Sequence, residues 1–282
     1  MRIIFIASLS HSGSTLLDLL LNAHPRVASV GELKQLSRFA GFQKRRVWHG
    51  CTCGAATLWD CPFWSRVSAL AEEATGKTIK ELNVENYADV ESFQRDNVTL
   101  FNAIAAASGK TYIVDSSKSR SRLKLLMNNP SLDVFPVFLV RNPKGQVSSL
   151  LKKSKSKADK KKRGANIYEI IADYVKTNRE IYSIIKNRAH LVVRYESLAR
   201  RPERTLRMLM KAIGLAFDPV QLNWAAQERH NVGGNGVRRE TASDIKLDER
   251  WRQRLSRPQK LAIDIGTFRG RYPFFKLGFR TR

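Results

Sequence analysis

The chain has 282 residues, 43% of them hydrophobic and 27% charged, which suits one large soluble α/β unit and excludes a disulfide-stapled miniprotein. Fifty Lys and Arg against 25 Asp and Glu leave a formal charge of +25. Such an excess points to an anionic partner without choosing among nucleic acid, membrane surface, acidic polysaccharide and phosphate-rich ligand. No apolar run approaches the ~20 residues of a membrane span, and Ile3–Ala7 is shorter than a secretory core of ~7–15 residues. Three cysteines cannot all pair, so a reducing cytoplasm is the expected setting.

The opening unit reads as a strand, Ile3 to Ala7, a Ser/Gly loop, and a buried leucine-rich helix from Thr15 to Leu21. Apolar runs of the same kind return at Tyr112–Val114, Val134–Val140 and Leu191–Val193, separated by segments long enough for helices. Helical periodicity is clearest from Ile167 to Lys186 and from Pro202 to Ile213, with Pro202 suited to a first turn and Gly214 to a stop. This alternation predicts a three-layer α/β fold, a central parallel sheet flanked by helices, in a single domain spanning 1–282. Between Lys152 and Arg163 the sequence KKSKSKADKKKR holds eight basic residues and one acidic, and reads as an exposed, mobile stretch.

Two elements carry chemistry. Ser8-Leu9-Ser10-His11-Ser12-Gly13-Ser14-Thr15 lies where a strand hands over to a helix, so backbone N–H groups and the helix dipole make an anion site there. Against the nucleotide-triphosphate pattern G-x-x-x-x-G-K-[ST] it keeps Gly13 and Thr15. Ser8 replaces the first glycine and Ser14 the lysine, which disfavours ATP or GTP hydrolysis. The second element is the strand ending in Arg141-Asn142-Pro143, with Ser149 eight residues after the arginine. An arginine at a strand's C-terminal end faces the ligand crevice of open α/β sheets and grips phosphate bidentately.

Together these elements resemble the sulfotransferases that use 3′-phosphoadenosine 5′-phosphosulfate (PAPS). His11 to Leu16 matches the 5′-phosphosulfate loop, and Arg141 to Ser149 matches the 3′-phosphate element. Arg194-Tyr195-Glu196-Ser197-Leu198, with Pro202-Glu203 and Leu215 after it, is similar to the family's R-Y-E-x-L stretch. His230 to Arg238 is similar to the Gly-Asn-rich late loop of bacterial members. The resemblance implies a P-loop-like fold and transfer of a sulfuryl group to a hydroxyl of a carbohydrate, lipid, small molecule or tyrosine. It implies donor contacts from His11, Ser12, Gly13, Ser14, Thr15, Arg141, Ser149, Tyr195, Asn235 and Arg238. Members commonly place Lys or Arg where this chain has His11, whose charge near its ordinary pKa of ~6.5 is conditional. Lys118, in Val114-Asp115-Ser116-Ser117-Lys118, matches the lysine that tyrosylprotein and bacterial sulfotransferases keep near the transferred group. Glu32 falls in a stretch, His24-Pro25-Arg26-Val27 to Gly31-Glu32, resembling the H-P-x-V…G-E segment whose glutamate deprotonates the acceptor. The catalytic set is therefore Glu32, Lys118 and His11. His49 and His230 remain rival bases, while His24 and His190 read as structural.

His49, Cys51, Cys53 and Cys61 are four soft ligands close in sequence, but their spacing is not that of a zinc ribbon or knuckle. Loop packing and no required metal are the expectation. The basic run lacks interleaved aromatics for base stacking, so no nucleic acid partner is expected. An anionic acceptor and a peripheral contact with an anionic surface stay open, as do a divergent P-loop kinase and a polyanion-binding protein without catalysis. The residues between Arg38 and Ala107, where the acceptor pocket is expected, carry no decodable pattern.

Overall fold

The computed structural model describes residues 1–40, 51–158, 166–239 and 241–268, the side chains of 153–158 excepted. Five strands form one sheet: β1 (Arg2–Ala7), β2 (Val27–Ser29), β3 (Tyr112–Asp115), β4 (Asp133–Val140) and β5 (Leu191–Arg194), in the order β2-β3-β1-β4-β5. The pairings β1 with β3, β2 with β3 and β4 with β5 are parallel. This is the α/β architecture with a parallel sheet and flanking helices that the alternation of strand and helix signals predicts. Buried strands of a parallel sheet need apolar side chains on both faces, and β1 is the clearest case, with Ile3, Ile4, Phe5 and Ile6 fully buried. Each such side chain contributes about 1.5–3 kcal/mol by leaving water.

The contacts cluster into two compact units. The first comprises Met1–Ala7, Thr15–Pro136 and Ile213–Ser243, and the second Ser8–Ser14, Val137–Ala212 and Asp244–Arg282. In the first, the helix Ser14–Asn22 buries Leu17, Leu19, Leu20 and Leu21. Long helices Pro62–Thr75 and Val90–Ser108 pack on each other, filling the stretch whose pattern was not decodable. In the second, Val147, Ile170, Ile171, Leu255 and Ile263 form a core. There Gly266 of the helix Arg257–Phe268 lets that helix approach Ile171 so closely that a Cβ would stand 2.6 Å from its Cγ2.

The helices Ile167–Ile185 and Pro202–Ile213 lie where periodicity put them. Gly214, at φ 86°, follows the latter in the left-handed conformation of a helix stop. The basic run starts in regular structure, because the helix Pro143–Ala158 continues through Lys152 to Ala158. Lysine is a good helix former and like charges one turn apart cost only tenths of a kcal/mol, roughly, so the helix persists. Residues 159–163 of that run lie outside the described residues. Among the described residues no helix is long and apolar enough to cross a membrane.

Candidate active site

In the second unit the loop Ser8–Ser14 is held by side chains from the helix that follows β4. Ser12, 1% exposed, donates its hydroxyl to Leu9 O at 2.6 Å and accepts from Gln146 Nε2 at 2.7 Å, and the same amide donates to Ser10 O at 2.8 Å. His11 (φ 66°) and Gly13 (φ 90°) both take left-handed backbone, and a Cβ at Gly13 would run into the Tyr195 ring. Tyr195 itself begins the short helix Tyr195–Arg200.

Arg141 lies across that ring, its guanidinium 4.6 Å from the centroid, and donates through Nη1 to His11 O at 2.9 Å and through Nη2 to Asp248 O at 3.2 Å. Nη2 also pairs with the Asp248 carboxylate at 3.1 Å. Gly145 makes room, since a Cβ there would stand 2.9 Å from Arg141 Nε. The Tyr195 hydroxyl accepts from Asp248 N at 3.0 Å. Hydrogen bonds from Arg250, with Arg141 beside them, hold the Asp248 carboxyl well below the usual carboxylate range. Ser149 is half-buried on the same helix as Gln146 and donates to Gly145 O at 3.0 Å. Loop, Arg141 and Tyr195 are thus brought together. Asp248, 107 residues from Arg141, had no signal in the sequence.

In the first unit Glu32 follows β2 and caps the 3₁₀ turn Leu33–Gln35, while Lys118 follows β3. Because β2 and β3 are parallel neighbours, their C-terminal ends present both side chains on one edge. Lys118 Nζ donates to Glu32 Oε1 at 2.6 Å, with both side chains 11% exposed, and Gln35 Nε2 donates to Oε2 at 3.0 Å. Lys118 has φ 61°, and it and His11 are the two non-glycine residues with positive φ among the described residues. Backbone strain of this kind costs about 1–3 kcal/mol and persists only where surrounding structure imposes it. Here the anchor is a fully buried ion pair, Arg122 Nε to Asp115 Oδ2 at 2.7 Å, whose other oxygen accepts from Ser117 N at 2.9 Å.

Beneath this pair lies Asp18, 3% exposed, accepting from Ser29 Oγ at 2.6 Å and Asn231 Nδ2 at 2.7 Å. Burial pushes its carboxyl up to about 6, against the hydrogen bonds from Ser29 and Ser116 and the nearby charge of Lys118. Asp18 is not among the expected site residues, although one acidic residue inside an apolar helix was a readable signal.

The late loop meets the same edge. Val232 N donates to Val30 O at 2.9 Å and Glu32 N to Val232 O at 2.8 Å. Gly233, at φ 65°, passes so close that a Cβ would lie 2.9 Å from Glu32 Cβ, and one at Gly234 would lie 3.6 Å from Thr15 Oγ1. Arg238 is 2% exposed and donates to Asn231 O at 3.0 Å. Burial, with Arg239 beside it, lowers it to about 10, so it stays charged at neutral pH. Asn235 is exposed and its Oδ1 accepts from Val237 N at 3.0 Å, a local turn cap.

His24 and His190 bond backbone carbonyls, Ala216 O at 3.1 Å and Arg188 O at 2.8 Å. His49 lies outside the described residues. His230 lies two residues before Val232, whose carbonyl accepts the Glu32 amide. It joins Cys51, Cys53 and Cys61, and the four ligand atoms lie within 4.8 Å of one another. A groove of about 910 Å³ runs along the edge strand β2, lined by Val27, Ser29, Phe63, Lys110 and His230 among others. Neither Glu32 nor Lys118 is among the residues that line it.

The model of the sulfotransferase family matches residues 3–219, and the chain belongs to that family of enzymes. Among solved structures it is similar to the sulfotransferase domain of the curacin biosynthetic pathway, at 22% identity and TM-score 0.62, covering 97% of this chain and 98% of that one. It is also similar to the sulfotransferase domain of the Synechococcus PCC 7002 olefin synthase, at 18% identity and TM-score 0.61, covering 99% and 96%. A mouse sulfotransferase complexed with PAP shares the fold at 8% identity and TM-score 0.50, covering 96% and 85%. No curated protein matches the chain.

Proposed function

We propose that the protein transfers a sulfuryl group from 3′-phosphoadenosine 5′-phosphosulfate to a hydroxyl acceptor. The observation that carries this reading is the family match, which spans the strand–loop–helix at Ser8–Thr15, Glu32, Lys118 and the Arg141 element. The mouse relative's complex with PAP supports the choice of donor.

In this reading the loop His11 to Thr15 holds the 5′-phosphosulfate through its backbone N–H groups, that of Ser12 included, and through the hydroxyls of Ser14 and Thr15, while the Ser12 hydroxyl braces the loop on Leu9 O and Gln146. Arg141 and Ser149 take the 3′-phosphate, and Tyr195, Asn235 and Arg238 complete the donor contacts. Glu32 accepts the acceptor's hydroxyl proton while the acceptor oxygen bonds sulfur in line. The sulfur–oxygen bond to the 5′-phosphate breaks, and its electron pair leaves with the phosphate oxygen. Lys118, already on Glu32, and His11 stabilise the charge that develops on the leaving oxygen. The surplus of 25 positive charges favours an anionic acceptor or a peripheral anionic surface by steering. The three free cysteines support a reducing cytoplasm.

The test is incubation with sulfur-35-labelled donor and a panel of phenols, glycans and lipid alcohols, beside a parallel reaction with γ-phosphorus-32 ATP and magnesium. Label from the sulfur donor on an acceptor, without a need for magnesium, is the expected outcome. Label from ATP alone contradicts the reading.

A further inference from the structure

The cysteines and His230 form a site that the proposed transfer does not use. Cys61 Sγ lies 3.6 Å from both Cys51 Sγ and Cys53 Sγ and 3.3 Å from His230 Nδ1, while Cys51 Sγ lies 3.7 Å from that nitrogen. A tetrahedral zinc with Zn–S of about 2.3 Å and Zn–N of about 2.0–2.1 Å sets S···S at about 3.8 Å and S···N at about 3.6 Å. These four of the six edges fall close to that tetrahedron, and all four ligand atoms lie within 4.8 Å of one another. Loop packing alone does not require three sulfurs and a ring nitrogen to converge, and three thiols cannot all form disulfides. Soft thiolates with one imidazole select zinc over hard cations.

The surroundings complete the site. His230 Nε2 faces Glu228 Oε1 at 2.9 Å, leaving Nδ1 towards the sulfurs, the arrangement in which a carboxylate orients a metal-bound histidine. Phe63 stacks on the imidazole at 4.8 Å between centroids, and Trp64 Nε1 donates to His230 O at 2.8 Å. Cys51 and Cys61 are buried and Cys53 is exposed, and a set of four protein ligands is that of a structural rather than a catalytic zinc.

We propose that Cys51, Cys53, Cys61 and His230 bind one structural zinc ion that fastens the loop 51–61 to the late segment 230–234 and so fixes the backbone beside Glu32. His230 is two residues from Val232, whose carbonyl accepts the Glu32 amide at 2.8 Å, and Gly233 packs against the Glu32 side chain. The zinc site stands whether or not the donor reading holds.

Purified protein, never exposed to chelator, is expected to carry about one zinc per chain by elemental mass spectrometry. Exchange with cobalt(II) should give thiolate charge-transfer and tetrahedral ligand-field bands. Glu228→Gln, at an exposed position that leaves the ligands in place, should weaken zinc binding 10–100-fold, and Cys53→Ser should alter the cobalt spectrum. Removing zinc should raise hydrogen exchange at the Glu32 amide. Three freely titrating thiols in the folded protein after zinc is supplied, or a cobalt spectrum without thiolate bands, overturns the site. Bound zinc with unchanged exchange at Glu32 overturns its positioning role.

Discussion

Lys118 and Glu32, 86 residues apart, meet through a 2.6 Å hydrogen bond at the C-terminal ends of two adjacent parallel strands. In the proposed function the carboxylate takes the acceptor's proton and the ammonium meets the negative charge on the leaving oxygen. Glu32→Gln and Lys118→Ala are each expected to lower turnover by roughly 10²–10⁴-fold with donor affinity nearly unchanged. Turnover kinetics beside donor calorimetry check this. Wild-type turnover in Glu32→Gln would remove the carboxylate from the proton transfer.

The left-handed backbone of His11 separates a conformational role from a chemical one. Replacing it by Gly and by Ala removes the same imidazole, but only Ala keeps a Cβ at φ 66°. The Gly variant should be the more stable by about 1 kcal/mol in denaturant titrations, and both should lose turnover alike. A large difference in turnover would mean that the side chain's contribution is to backbone shape.

Asp18 gives a pH signature. Its carboxyl is raised to about 6 by burial, above the ordinary 3.8. The folded state therefore binds the proton more tightly than the unfolded chain. The stability this confers is fully present below pH 3.8 and is lost as pH rises through about 6. Two units correspond to about 2–3 kcal/mol. Unfolding midpoints measured between pH 4 and 8 should show this component in the wild type and lack it in Asp18→Asn, which should gain stability relative to wild type as pH rises. Parallel curves for the two proteins would contradict the assignment.

Legibility followed locality. β1, β3, β4 and β5 are apolar runs, and the Ser/Gly loop between β1 and the following helix is readable from its position alone. β2 was not legible, since Val27-Ala28-Ser29 is three residues with weak strand preference. The pairing of Glu32 with Lys118 needs two strand ends to be neighbours, and chain order does not state which strands are. His230 reaches the cysteines from 169 residues away, so ligand spacing suggested His49 and missed it. Charge density hides the helix in the basic run, where helix propensity continues Pro143–Ala158 through its first half.

Calorimetry with 3′,5′-bisphosphorylated adenosine and with AMP tests the central claim most directly. Arg141 is buried and set by His11 O, Tyr195 and Asp248, and in the proposed function it takes the donor's 3′-phosphate. The bisphosphate should bind more tightly than AMP, and Arg141→Ala should abolish most of that difference, by about 2–3 kcal/mol for a lost charge-assisted contact. Equal affinity of the wild-type protein for the two nucleotides would contradict the account.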